Sequence, residues 1–154
     1  MQELVVCQSS HILFMVSKIK FRPREYRLIE QKMMILNQYP DSECDISNNK
    51  LLWKGNLCPN PLSRIYQVKI EYTIHKRPQV IVYGDCIFNT ELMPPHVFKI
   101  DRVKKEINIC VHLPAEFNSH ILIVKTIIPW TIEWLYFYEM WLATGEWCGG
   151  GHSC

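Results

Sequence analysis

The spacing of apolar positions changes along the chain, and each change predicts an element. From about Arg24 to Tyr39 apolar residues recur at three- and four-residue steps: Tyr26, Ile29, Met33, Leu36 and Tyr39. That is the period of a helix face. Pro40 and Asp41 stop it. Ahead of it, His11–Val16 is a short apolar run that reads as a strand or a lead-in to the helix. The middle of the chain alternates instead. In Tyr66–Tyr72 one face takes Val68, Ile70 and Tyr72 and the other Gln67, Lys69 and Glu71. A period of two marks a half-buried antiparallel strand. Leu51–Trp53 ahead of a turn at Gly55, Val80–Tyr83 between Pro78 and Gly84, Val97–Ile100 after Pro94-Pro95, and Ile107–Val111 after a charged turn are further short strands. Their close spacing predicts an antiparallel meander of about four strands. The last third turns helical again. Pro129-Trp130-Thr131 opens a helix to about Thr144, with Thr131 as N-cap, Glu133 where the helix dipole favours an acid, and Gly145 as the stop. Helix, meander, a segment around Cys110, then helix is an α+β order.

Composition narrows the class. The 154 residues, 48% of them hydrophobic, suit one domain over 1–154 with its own core, with a flexible tail from about residue 148. A net charge of +2 gives no electrostatic footprint for nucleic acid, so none is expected. Ile121–Ile128 is apolar, but Lys125 interrupts it and Pro129 ends it. It falls short of the ~20 apolar residues a membrane span needs. Met1–Val16 lacks the basic start and small-residue cleavage site of a secretory signal, so a cytoplasmic protein is expected. The seven cysteines are odd in number and form no Cys-x-x-Cys pair, which speaks against a zinc ribbon or a thioredoxin-type site. A reducing compartment and mostly buried, inert thiols follow as expectations. The tail carries Cys148, His152 and Cys154, three soft ligands where structural zinc takes four, around flexible glycines. Neither a metal nor a cofactor is expected.

Several strings carry a family resemblance. Trp53-Lys54-Gly55-Asn56-Leu57-Cys58-Pro59 and Tyr66–Tyr72 resemble the first strands of ubiquitin-conjugating enzymes. Pro94-Pro95-His96-Val97-Phe98 resembles their later P-P-x-V-x-F strand, and Ile109-Cys110-Val111-His112 the stretch with their active cysteine. The long string from Ile127-Ile128-Pro129-Trp130 to Thr144-Gly145-Glu146-Trp147, then Gly149-Gly150-Gly151-His152, is more specific. It resembles the bacterial conjugating-enzyme-like proteins of type II CBASS, antiphage operons that signal with cyclic oligonucleotides. The resemblance implies a ubiquitin-conjugating-enzyme-like fold and a cysteine that carries an acyl group as a thioester and passes it to an amine. It further implies that the acyl group is the C-terminus of a cGAS-like nucleotidyltransferase, loaded with or without an activating enzyme. The His-Pro-Asn tripeptide that precedes the cysteine in eukaryotic relatives is absent from Asp101–Ile109. The resemblance therefore assigns no oxyanion donor here.

Cys110 is the candidate nucleophile: a thiol near pKa 8.5 is a few per cent ionised at pH 7 and already very reactive. His112 and Asn108 each lie two residues away, which on a strand puts them on the Cys110 face. An imidazole titrating near 6.5 can serve as acid, base or donor at neutral pH. The Asn108 amide can donate to an oxyanion. Lys104 and Lys105 can add positive potential, and Glu116, Asn118, Ser119 and His120 can flank the incoming amine. Two other readings compete. One is an inactive scaffold that binds the same synthase through its aromatic helix and basic N-terminal segment. The other is a cysteine hydrolase recruiting His75, His96 or His120, although no peptidase signature surrounds Cys110.

Overall fold

Strict alternation in Tyr66–Tyr72 (β3) yields a central strand of a six-stranded sheet. Val68, Ile70 and Tyr72 are buried on one face, while Gln67 stays exposed on the other. The computed structural model describes residues 23–87 and 93–150, so His11–Val16 lies outside them. The strands are β1 (Glu43–Ser47), β2 (Lys50–Leu57), β3, β4 (Gln79–Tyr83), β5 (Val97–Asp101) and β6 (Glu106–Ile109). Helix α1 (Leu28–Gln38) precedes them and helix α2 (Ile127–Thr144) follows. The sheet runs β1-β2-β3-β4-β6-β5, with every neighbouring pair antiparallel. The chain is therefore α+β, but the four-stranded meander is corrected in two ways. Among the described residues the sheet has six strands, and β6 rather than β5 pairs with β4, so the chain doubles back at the edge. The additional strand, β1, joins β2 through Asn48-Asn49, both at positive φ of 48° and 57°. Asparagine tolerates that left-handed geometry, which suits a tight hairpin.

Gly55 is not a turn. It lies inside β2, opposite Val68, with the Trp53 ring over it. A Cβ at Gly55 would meet Trp53 Cζ2 at 2.3 Å, so the residue must be glycine to let the indole lie down. Cross-strand register then lines up an apolar row of Trp53, Ile70, Val80 and Ile109. All four are buried. From Ile109, the last residue of β6, the row passes to its partner Val97 on the edge strand β5.

Helix α2 begins four residues before the predicted N-cap Thr131, at Ile127. Thr131 is buried inside the helix, and its hydroxyl donates back to the Ile127 carbonyl at 2.7 Å. Pro129 is tolerated because a first-turn N–H has no helical partner anyway. Gly145 closes the helix at φ 77°, the left-handed stop that glycine adopts without strain. Trp134, Leu135, Tyr138 and Trp141 join the core. Two buried polar anchors tie the layers together. Tyr138 donates to the Ile87 carbonyl at 3.0 Å. Gln31 of α1 donates to the Ile121 carbonyl at 2.8 Å and accepts from the Ile123 amide at 2.9 Å. That pair of bonds holds the segment following Cys110 against α1. Among the described residues no helix is long and apolar enough to cross a membrane.

Candidate active site

Strand β6 stops one residue short of Cys110. The Cys110 amide leaves the ladder and donates instead to the His96 carbonyl at 2.8 Å. His96 sits at φ 56°, so the chain turns sharply just before β5. Two turns meeting there open a cavity of about 220 Å³. Cys110 and His112 line it together with His96, Glu116 and, from α2 and the residues after it, Trp130, Glu133, Trp134 and Trp147. Cys110 is 8% exposed and disulfide-bonded, whereas Cys44, Cys58, Cys86 and Cys148 are free. The expectation of mostly buried thiols needs correcting, because Cys58 and Cys148 are exposed. Both lie in loops that the apolar pattern does not draw inward.

His112 is 4% exposed, packed between the rings of Phe117 and Trp130 at 5.9 and 6.0 Å. Its Nδ1 lies 2.7 Å from the Leu113 carbonyl. A carbonyl only accepts, so Nδ1 carries the proton. Burial holds the imidazole below its usual pKa, and the Arg77 charge pushes the same way against the Leu113 bond and Glu116. A neutral ring with its proton on Nδ1 leaves a lone pair on Nε2. That nitrogen is buried and, among the described residues, makes no hydrogen bond. The ring can thus take a proton within the cavity that holds the sulfur.

The cation at the sulfur is Arg77, from the loop between β3 and β4. Its Nη2 is 3.2 Å from Cys110 Sγ and also donates to the His112 carbonyl. The guanidinium lies over the Phe98 ring, 4.5 Å from its centroid. Lys104 and Lys105 are at the other end of β6, in its turn with β5. Five residue steps, roughly 16 Å of extended chain, separate Lys105 from Cys110. The Lys105 ammonium pairs with Asp85, and the Lys104 amide donates to Asp101 at 3.0 Å.

The remaining candidates divide. Glu116 reaches the cavity wall. Asn108 does not: it lines a separate depression with Lys99, Asp101 and Glu106 on the opposite side of β6. Cys110 and His112 meet through the turn after Ile109, not through strand alternation. Ser119 and His120 turn away towards Glu25, with Ser119 Oγ donating to it at 2.9 Å and His120 Nε2 lying 3.9 Å from it. Asn118 accepts the His120 amide at 2.9 Å. His75 also faces Glu25, at 3.7 Å, which leaves His96 as the distant histidine beside Cys110. Arg77 carries no local signal, because it is 33 residues from Cys110 and only the β3–β4–β6 pairing joins them. Cys148 is exposed, and its two possible companions His152 and Cys154 lie outside the described residues.

Compared with protein families, residues 31–154 match the one described as type II CBASS E2 protein. Compared with curated proteins, the chain has no match.

Proposed function

The chain belongs to the type II CBASS E2 protein family, and from that premise we propose that Cys110 is an acyl carrier. On this reading the sulfur takes the C-terminus of a cGAS-like nucleotidyltransferase as a thioester and delivers it to an amine, priming antiphage signalling. The observation that supports it is the shared cavity, in which a sulfur and a neutral, buried imidazole face the same space.

In loading, the reduced Cys110 sulfur, its proton already released as the thiolate, attacks the carbonyl carbon of an activated acyl group. The S–C bond forms as the bond to the previous leaving group breaks. In transfer, an amine attacks the thioester carbon, the C–S bond breaks and the electron pair returns to sulfur. The amine proton passes to His112 Nε2, the lone-pair nitrogen. Trp130, Trp134 and Trp147 wall the cavity and limit water that would hydrolyse the thioester. Asn108 has no role in this scheme.

A second reading, an inactive scaffold for the same synthase, draws on the missing His-Pro-Asn and on a sulfur that is covered and disulfide-bonded. One experiment separates the two. The protein, reduced with a phosphine, is combined with the neighbouring synthase and any activating enzyme and run on gels. A phosphine breaks disulfides and spares thioesters, so the two adducts are told apart. The carrier predicts a higher band that survives phosphine, collapses with hydroxylamine or excess thiol, and is missing in Cys110→Ala. Co-purification of the two proteins with no such band establishes the scaffold.

A further inference from the structure

Arg77 is in an unusual situation for a guanidinium. It is half-buried, and burial disfavours its charge. Among the described residues no carboxylate pairs with it. Cations withdrawn from water are ordinarily paired. Phe98 beneath it offers a partial substitute through its ring face. What the guanidinium faces is the Cys110 sulfur, here in a disulfide, at 3.2 Å and the His112 carbonyl, so that reduction leaves the sulfur beside it as thiol or thiolate. A thiol gives it no opposite charge, and a thiolate does.

We propose that Arg77 is the counter-ion of the Cys110 thiolate, a catalytic residue that holds the sulfur ionised before acyl loading and receives the charge when an amine displaces it. The ionised sulfur is a property of the reduced protein alone. Its use in acyl transfer rests on the carrier reading above. In loading, the thiolate pair forms the S–C bond while an activated acyl donor, a thioester or an acyl phosphate, loses its leaving group with that bond's electrons. In transfer, the N–C bond forms, the C–S pair returns to sulfur beside Arg77, and the amine proton goes to His112 Nε2.

Opposing influences surround the sulfur. Burial favours the neutral thiol, and the carboxylates of Glu116 and Glu133 line the same cavity with the imidazoles of His96 and His112. Against these, an opposite charge in contact favours the ionised form by about tenfold to a thousandfold. Arg77 also fixes what it charges. By bonding the His112 carbonyl it ties the sulfur and the imidazole segment to one group.

The test is the pH profile of Cys110 alkylation by iodoacetamide in phosphine-reduced protein, read by mass spectrometry of the Cys110 peptide. Wild type is expected to reach half-maximal rate below the ordinary cysteine value of about 8.5. Arg77→Gln is expected to move the profile upward and slow alkylation at pH 7 by about tenfold, with Arg77→Lys recovering most of it. An unchanged profile in Arg77→Gln with native circular dichroism overturns the proposal. Should that variant not fold, thiolate absorbance at 240 nm in reduced wild type minus Cys110→Ser decides. Ionisation centred below the ordinary value supports Arg77, and ionisation at or above it overturns the assignment. The gel assay for the thioester is scored separately. A shifted profile without a thioester sinks the carrier and keeps the ion pair, whereas a thioester with an unshifted profile sinks the ion pair and keeps the carrier.

Discussion

Basic side chains stand at both ends of β6, in opposite circumstances. At the turn end, Arg102, Lys104 and Lys105 are exposed, and Lys105 is paired with Asp85, the two side chains being 53% and 83% exposed. At the cysteine end, Arg77 is half-buried, has no carboxylate among the described residues, and faces a sulfur. Water and salt screen the first group, so several charges there do little. Partial withdrawal from water lets one charge act on the second. The number of basic residues in a stretch therefore says little about where a charge has chemical consequence. Desolvation and the missing counter-ion say more.

The comparison is broken most directly by removing the groups at the cysteine end. Cys110→Ala should abolish the thioester adduct. His112→Ala should still load but discharge to a free amine about 10²- to 10⁴-fold more slowly, measured in single-turnover chase. Unchanged discharge would exclude the imidazole as proton acceptor. Next in size is the contrast between the ends themselves: Arg77→Gln should slow Cys110 alkylation at pH 7 about tenfold, and Lys105→Gln should leave it unchanged. Equal effects would dissolve the distinction.

A change away from both ends sharpens it. Gly55→Ala forces a Cβ to within 2.3 Å of the Trp53 ring. Such overpacking should cost about 1–3 kcal/mol, seen as a lower urea midpoint, while leaving the alkylation profile of the folded protein intact. His112 adds a pH signature of stability. Burial lowers its pKa in the fold, so below the unfolded value of about 6.5 the unfolded chain binds a proton that the folded chain does not. Stability should fall as pH drops from about 6.5 towards the folded value, and His112 should contribute no slope above it. Urea midpoints from pH 5 to 7.5 should show a flatter acid limb in His112→Gln. The smallest effect is Lys105→Ala, which removes an exposed pair of about 0.2–1 kcal/mol that added salt should erase.

Sequence alone determined what depends on local periodicity and on extended strings. Tyr66–Tyr72 is a strand with the predicted buried face, because alternation and burial on one side are the same fact. A helix at 28–38 and the Gly145 stop were local too, but the helix buries Leu28, Gln31 and Ile35 and leaves Ile29 and Met33 of the predicted apolar face exposed, because the sheet sets which side turns inward. Residues 31–154 match the family that the C-terminal string resembles, since a long aromatic string is specific where short strand motifs are not. Asn48-Asn49 was a readable hairpin signal that the apolar pattern passed over, because β1 buries only Cys44 and so shows no alternation.

Tertiary structure decided the rest. Gly55 looked like a turn and is a strand residue, because a glycine's reason can be the ring of Trp53 lying across it. Thr131 looked like a cap and is interior, because the apolar run Ile127–Ile128 has a core to enter and extends the helix backwards. Asn108 and Cys110 were two residues apart, yet face different cavities because the strand stops between them. Arg77 reaches Cys110 across 33 residues of chain through β3, β4 and β6. Sequence spacing reports neighbours along an element, whereas the charge around a sulfur is set by whatever the sheet order brings to its end.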